Sequence, residues 1–268
     1  MIFAMQHISH PMPQPKTSEL EQRLVVLFDE QCPDDFRLRR LEGDALKQVA
    51  SGVDVAAAYT VLGGVAFLRM DERAMRSAFE RAFSCPGIAV ESYLNYATFL
   101  SALLYFEESQ AILSDLVQRF PDNPTVLGSA TEAAMAAGRF RFAADCRSAA
   151  HRLGLSDQGS SQFNLTGNPM LPLLLDRLAG DGVDERVIHQ AVQVAGEVIR
   201  RRHGQVISWV GDFTDAPSMV SMFTVRAEFD DIAKTNLLIA DALVEHGLDD
   251  TASYLTLSCV RHADAYYA

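Results

Sequence analysis

The sequence predicts an α+β protein, an N-terminal α-helical solenoid of stacked hairpins followed by a small α/β sandwich. Three observations carry that expectation. Over residues 56–154 small and apolar positions recur at a spacing of about 34 residues, in the form helix, short break, helix. After Gly154 the texture changes to a polar, glycine-containing run, Asp157–Ser161, with no apolar period. Between Gln205 and Phe229 the pattern shifts to the period of two that marks strands. The expected organisation is a loose N-terminus over 1–17, a helical repeat domain over 18–155 and an α+β domain over 162–268.

The first residues carry three prolines and two histidines before Lys16. His7 and His10 make a poor metal pair, because an exposed pair on a loose segment is more often incidental. Ser18 and Glu21 form an S-x-x-E capping box, in which each side chain satisfies an orphan backbone donor. Leu20, Leu24, Val25, Leu27 and Phe28 supply the buried stripe of the first helix. Cys32-Pro33-Asp34-Asp35 breaks it. A second helix over 34–50 is expected to bury Phe36, Leu38, Leu41, Leu46 and Val49, with Gly43 as a weak point. This pair lacks the small-residue pattern of the later helices and is read as an end cap for the array.

The repeat itself has three copies. The first carries Tyr59, Leu62, Gly63 and Ala66 in its first helix, then Met75, Phe79 and Ala82 and a closing Pro86. The second carries Tyr93, Tyr96, Ala97 and Leu100, then Ser109, Leu113, Leu116 and Pro121. The third carries Leu127, Ala130, Thr131 and Ala134, then Ala143 and Ala150. Gly63, Ala97 and Thr131 are small, which lets the paired helix approach closely. Tyr59, Tyr93 and Leu127 are large and fill the space between copies. Gly138 suits a helix end with positive φ, and Pro121 and Pro124 close one helix and open the next.

This pattern resembles the tetratricopeptide repeat, over about residues 56–154. The third copy departs from it: Thr131 replaces the glycine, Arg147 stands at an aromatic position and Gly154-Leu155 replaces the closing proline. The resemblance implies a concave binding groove lined by Thr60, Gly64, Phe67, Leu94, Thr98, Ser101, Gly128, Glu132 and Met135. That surface is small and apolar, without the cations of the carboxylate-clamp readers, so it suits an extended or helical protein segment with apolar anchors. A competing reading fills the groove with the chain's own C-terminal part. Three such repeats also resemble the chaperones of type III secretion, which are shorter and have no counterpart of the C-terminal domain.

Beyond Gly154, Gln162–Thr166 reads as a short strand and Leu171–Leu178 as a short helix. Asp184–His203 reads as a strong helix capped by Asp184, with Val187, Ile188, Ala191, Val194, Ala195, Val198 and Ile199 on its buried face. Arg200-Arg201-Arg202 at its end suits the negative pole of the helix dipole. Gln205–Phe213 and Met219–Phe229 around the turn Thr214–Pro217 read as a hairpin. A helix from Asp230 to His246 is expected to bury Ile232, Leu237, Ile239, Leu243 and Val244. Ser253–Val260 reads as the last strand. If Gln162–Thr166 is a strand, the order fits a ferredoxin-like, four-stranded antiparallel sheet with two helices on one face.

The net charge of −12 argues against nucleic acid and against an anionic membrane surface. Acidity concentrates after Gly204, with ten acids against three bases, which suits solubility or a basic partner. None of the four cysteines forms a C-x-x-C pair, no apolar run is long enough to span a bilayer, and the N-terminus lacks a signal-peptide pattern. A reducing cytoplasm is expected, and the preference for arginine over lysine suggests a bacterial source. No phosphate loop, dinucleotide loop or nucleophile elbow is present. Asp212, Asp215, His262 and Asp264 are the residues around which an enzyme reading would be built. The expected function is a non-enzymatic protein-binding adaptor or chaperone-like scaffold. It needs no cofactor, catalytic residue or metal, takes another protein or peptide segment as partner, and has an acidic domain open to homo-oligomer formation.

Overall fold

The computed structural model describes residues 19–29, 34–154, 170–213 and 217–262. The expectations placed on Ser18, Cys32-Pro33, Asp157–Ser161, Gln162–Thr166, Thr214-Asp215-Ala216 and Asp264 lie outside the described residues. The described helices are α1 (Glu19–Asp29), α2 (Asp35–Ser51), α3 (Val55–Leu68), α4 (Glu72–Phe83), α5 (Val90–Ala102), α6 (Phe106–Arg119), α7 (Pro124–Ala136), α8 (Phe140–Arg152), α9 (Met170–Gly180), α10 (Glu185–His203) and α11 (Phe229–Glu245). The strands are β1 (Ser208–Phe213), β2 (Met219–Val225) and β3 (Leu255–Arg261). The class is α+β: a helical N-terminal region, then a small mixed sheet with helices. Among the described residues no helix is long and apolar enough to cross a membrane.

Helix pairs form at all three copies of the repeat, and the turns inside them keep its period. Met70, Leu104 and Gly138 stand 34 residues apart, and each has a left-handed φ, of 60°, 64° and 70°. After each, the next residue's amide reaches back to a carbonyl five residues earlier: Asp71 to Ala66 at 2.9 Å, Tyr105 to Leu100 at 2.8 Å and Arg139 to Ala134 at 2.8 Å. This is the Schellman closure, which satisfies carbonyls the helix end leaves open. Only Gly138 takes that conformation without a steric cost; Met70 and Leu104 carry a Cβ into it. Between copies two and three, the Asn123 side chain accepts from Thr125 N and Val126 N, and Pro124 opens α7.

The chain divides into two compact units, residues 11–99 and the residues from Leu100 onward, with the division inside α5. The first unit is organised by aromatic rings. Phe28 of α1, Phe67 of α3 and Phe99 of α5 stack on one another with centroids 4.5–5.7 Å apart. On the other side of α5, Tyr93 lies flat on Phe83 at 4.6 Å and Tyr96 meets Phe79 at 4.8 Å. Gly63 permits this packing: a Cβ there would stand 2.5 Å from the Phe79 ring. Ala97 and Thr131, the small residues at the matching places, are buried too. Leu24, Leu27, Leu38 and Leu41 make a neighbouring core with Val61 and Val65. Phe36 and Leu46, expected inside, are 71% and 52% exposed instead. The inward arc of α2 is narrow, centred on Leu38, Leu41 and Ala45, and the two outlying apolar residues fall beyond it.

In the second unit one continuous apolar cluster holds Phe106 of α6, Ala134 and Ala136 of α7, Phe140 and Ala143 of α8, and residues of α9, α10, α11 and all three strands. β1 and β2 pair antiparallel from Ser208–Thr224 to Phe213–Met219, the expected hairpin. β2 and β3 pair directly and in parallel, Met219 with Leu255 through Val225 with Arg261, connected through α11. The four-stranded antiparallel, ferredoxin-like expectation is thereby corrected: that order needs another strand between these two, and their direct pairing leaves no place for it. α10 follows expectation in its Asp184 cap and Gly204 stop, but its buried face is turned toward His189, Val192 and Gly196, and Val187 is outside. α11 buries Ile232 and Ile239 but exposes Leu237 and Val244, 67% and 63%, against expectation.

Two substitutions test these constraints. Met70 is 56% exposed, so Met70→Gly removes a strained Cβ at little packing cost. It should raise stability by about 0.5–1 kcal/mol in urea unfolding. Gly63→Ala gains about 1 kcal/mol of helix propensity but forces a methyl into the Phe79 ring. Overpacking of that kind costs about 1–3 kcal/mol, so a net loss should appear in the same measurement.

Candidate functional site

None of the nine residues expected to line a groove is open to solvent, and they divide by depth. Thr60, Gly64, Phe67, Leu94 and Gly128 are buried, and Thr98, Ser101, Glu132 and Met135 are half-buried. In the first unit, α1 occupies the face of α3 on which the first three lie. A Cβ on Gly64 would stand 2.4 Å from a methyl of Leu24, and Phe67 sits between Phe28 and Phe99. The Thr60 hydroxyl is 2.8 Å from the Ser92 hydroxyl, also buried. Thr98 donates to its own helix at Leu94 O, 2.9 Å away.

In the second unit two residues with unmet chemistry lie on α7; Gln110 Oε1, Gln205 Oε1 and Thr224 Oγ1 are also unmet elsewhere in it. Ser129 and Glu132 are one turn apart, and Met135 is one turn further, so the three share a face with Gly128. The Ser129 hydroxyl is buried and has no hydrogen-bond partner. Glu132 keeps some solvent contact yet is closely surrounded by protein, and burial alone pushes its carboxyl up to about 8. No cation or donor in the described chain offsets that burial. A carboxyl desolvated without a partner is costly, and it is held neutral over most of the physiological range or waits for a donor from outside. Ser101 also looks inward, with its hydroxyl 2.8 Å from that of Ser109.

The hairpin carrying this face is pinned by a polar clasp that no sequence motif announces. His189 of α10 is buried, with Nδ1 2.6 Å from Ala137 O and Nε2 2.7 Å from a Glu107 carboxylate oxygen. Arg139, in the turn between α7 and α8, donates to both Glu107 oxygens at 2.8 and 2.9 Å. Gln193, one turn along from His189, donates to Glu107 Oε1 at 2.9 Å. A carbonyl can only accept, so Nδ1 carries a proton. The short Nε2–carboxylate contact needs a second one, on the ring or on Glu107. Burial alone would raise the Glu107 carboxyl, but the His189 hydrogen bond, the Arg139 charge and the bond from Gln193 hold it below the usual carboxylate range. The signal in the sequence is faint: His189, Val192 and Gly196 form a second stripe beside the obvious apolar one on α10.

The other residues singled out for chemistry are not assembled in the described chain. Asp212 is exposed on β1, where its carboxylate accepts from Phe213 N; Asp215 and Asp264 lie outside the described residues. Of the basic run ending α10, Arg200 stacks over Tyr105 at 4.1 Å, Arg201 pairs with Glu197 and Arg202 with Asp231. Cys146 and Cys259 are buried free thiols, each pushed up to about 12, first by burial.

The lone carboxyl has a measurable signature. Glu132 ionises at about 8 in the folded chain and near 4.5 when exposed. Between those values the folded chain holds a proton that the unfolded chain has lost, so stability falls as pH rises through the window and levels off above it. Glu132→Gln does not titrate. Its thermal midpoint should match that of the original protein near pH 4.5 and exceed it by the largest margin at pH 8; equal midpoints across the range would show that Glu132 is well solvated. No family model, curated protein or solved structure matches this chain.

Proposed function

We propose that the chain is a non-enzymatic, cytoplasmic protein-binding adaptor whose tetratricopeptide-like hairpins present the α7 face to a segment of another protein. The observation that carries this reading is the pair of unpartnered polar groups on that face, the buried Ser129 hydroxyl and the half-buried Glu132 carboxyl. Folded proteins rarely leave such groups unsatisfied unless something else completes them. Glu132 calls for a donor, either a backbone N–H of an extended segment or a lysine or arginine side chain. Met135 beside it supplies an apolar contact. A segment with an apolar anchor next to a donor therefore fits this face. The period-keeping turns at Met70, Leu104 and Gly138 support the repeat reading, and α1 filling the α3 face narrows the receiving surface to the third hairpin.

A photocrosslinking residue tests the proposal directly. Placed at Met135 in the native host, it should give a discrete protein adduct, and Glu132→Ala in the same chain should cut its yield several-fold. The same group at Gln118, exposed on α6, should give none. Absence of an adduct at Met135, or the same adduct from Gln118, would overturn the reading.

A further inference from the structure

The outer face of α11 carries an apolar stripe with nothing of the described chain against it. Phe229, Ala233, Leu237, Ala240 and Val244 are all exposed, and they succeed one another at intervals of four, four, three and four residues. That spacing keeps them on one side of the helix, as in the seam of a paired helix. The inward side is a separate arc, of Ile232, Thr235 and Ile239. Phe229 and Leu237 are each 67% exposed, and such a row on a helix surface marks an interaction site.

We infer that this stripe is a self-association surface, through which two copies of the chain pair by their α11 helices in antiparallel orientation. Two independent features of the sequence along the stripe select this occupant. The first is size. Small and large residues alternate, and a two-fold axis midway between Leu237 and Ala240 sets Leu237 against the partner's Ala240 and Val244 against the partner's Ala233. Leu237 and Val244 then each meet a small residue, which allows close approach. The second is charge. Lys234, Asp241 and Glu245 run along the same edge of the stripe, all exposed and none paired within the described chain. The antiparallel axis brings Lys234 level with a point midway between the partner's Asp241 and the partner's Glu245, on the same edge of the seam, and symmetry makes the contact twice. A parallel pairing puts the charged edges of the two copies on opposite sides of the seam, where these contacts cannot form.

Sedimentation equilibrium over a wide concentration range tests this on the full chain. The original protein should show a reversible monomer–dimer equilibrium. Leu237→Asp should remain monomeric, and because the site is exposed its thermal midpoint should match the original's at dilutions where both are monomers. Lys234→Glu should weaken the dimer by about tenfold or more, and the charge swap Lys234→Glu with Asp241→Lys should restore it. A monomer at every concentration overturns the inference and leaves the stripe to another occupant. A dimer insensitive to Leu237→Asp places the interface elsewhere and also overturns it. Failure of the charge swap to rescue Lys234→Glu overturns the antiparallel register. None of these outcomes depends on Glu132 or on the α7 face, so this surface and the proposed adaptor site stand or fall separately.

Discussion

The burial of Phe106 and Phe140 in the same apolar cluster as Ile188, Val192 and Phe223 is the constraint on which the second unit depends. A hairpin such as α7–α8 has two faces, and an isolated one leaves one of them wet. Here the inward face is closed by α9 and α10 and by the underside of the sheet. The close fit appears at Gly138, where an added Cβ would stand 3.1 Å from Val192, and at Gly196, where it would stand 3.1 Å from the Phe106 ring. Glycine therefore serves two purposes at position 138, a left-handed turn and a near approach by α10. The sheet is small because it does not have to enclose a core alone. Three strands suffice when helices from the repeat supply the rest of the apolar surface.

Polar groups around this core show how neighbours decide the behaviour of one functional group. Glu107 and Glu132 have the same side chain and both lose water on folding. Glu107 meets His189, Arg139 and Gln193 and stays ionised below the usual range. Glu132 meets none and is pushed up to about 8. The first carboxylate knits together α6, the α7–α8 turn and α10. The second contributes nothing to the fold as it stands, which is why it draws attention as a point of contact. A polar group retained at a cost in stability needs a reason other than folding.

Much of the helical half is legible in the sequence, because periodic apolar residues and turn chemistry are local signals. The spacing of Gly63, Ala97 and Thr131 marks the helix pairs, and Asn123-Pro124 marks the link between them. The hairpin of β1 and β2 is legible for the same reason. Three things are not. Met70 and Leu104 do not advertise a left-handed turn, since the hydrogen bonds from Asp71 and Tyr105 that enforce it are seen only in three dimensions. The direct pairing of β2 with β3 is a non-local choice that alternation cannot express. On α11, apolar residues occupy two arcs, and nothing in the spacing says which arc meets the core; Leu237 and Val244 lie on the one that does not. The depth of the positions expected to line a groove is not legible either. The covering of Gly64 by Leu24 depends on where α1 docks, which the repeat pattern does not contain.

The stack of Phe28, Phe67 and Phe99 has a consequence for how such an array can change over generations. Each ring comes from a different helix, and one of them, α1, belongs to no repeat. Duplicating or excising a 34-residue copy would preserve the turn phase but strand at least one ring without its neighbours. The hairpins are thus alike in backbone and unlike in what they touch, and drift in copy number is closed to a chain whose first modules have become irreplaceable parts.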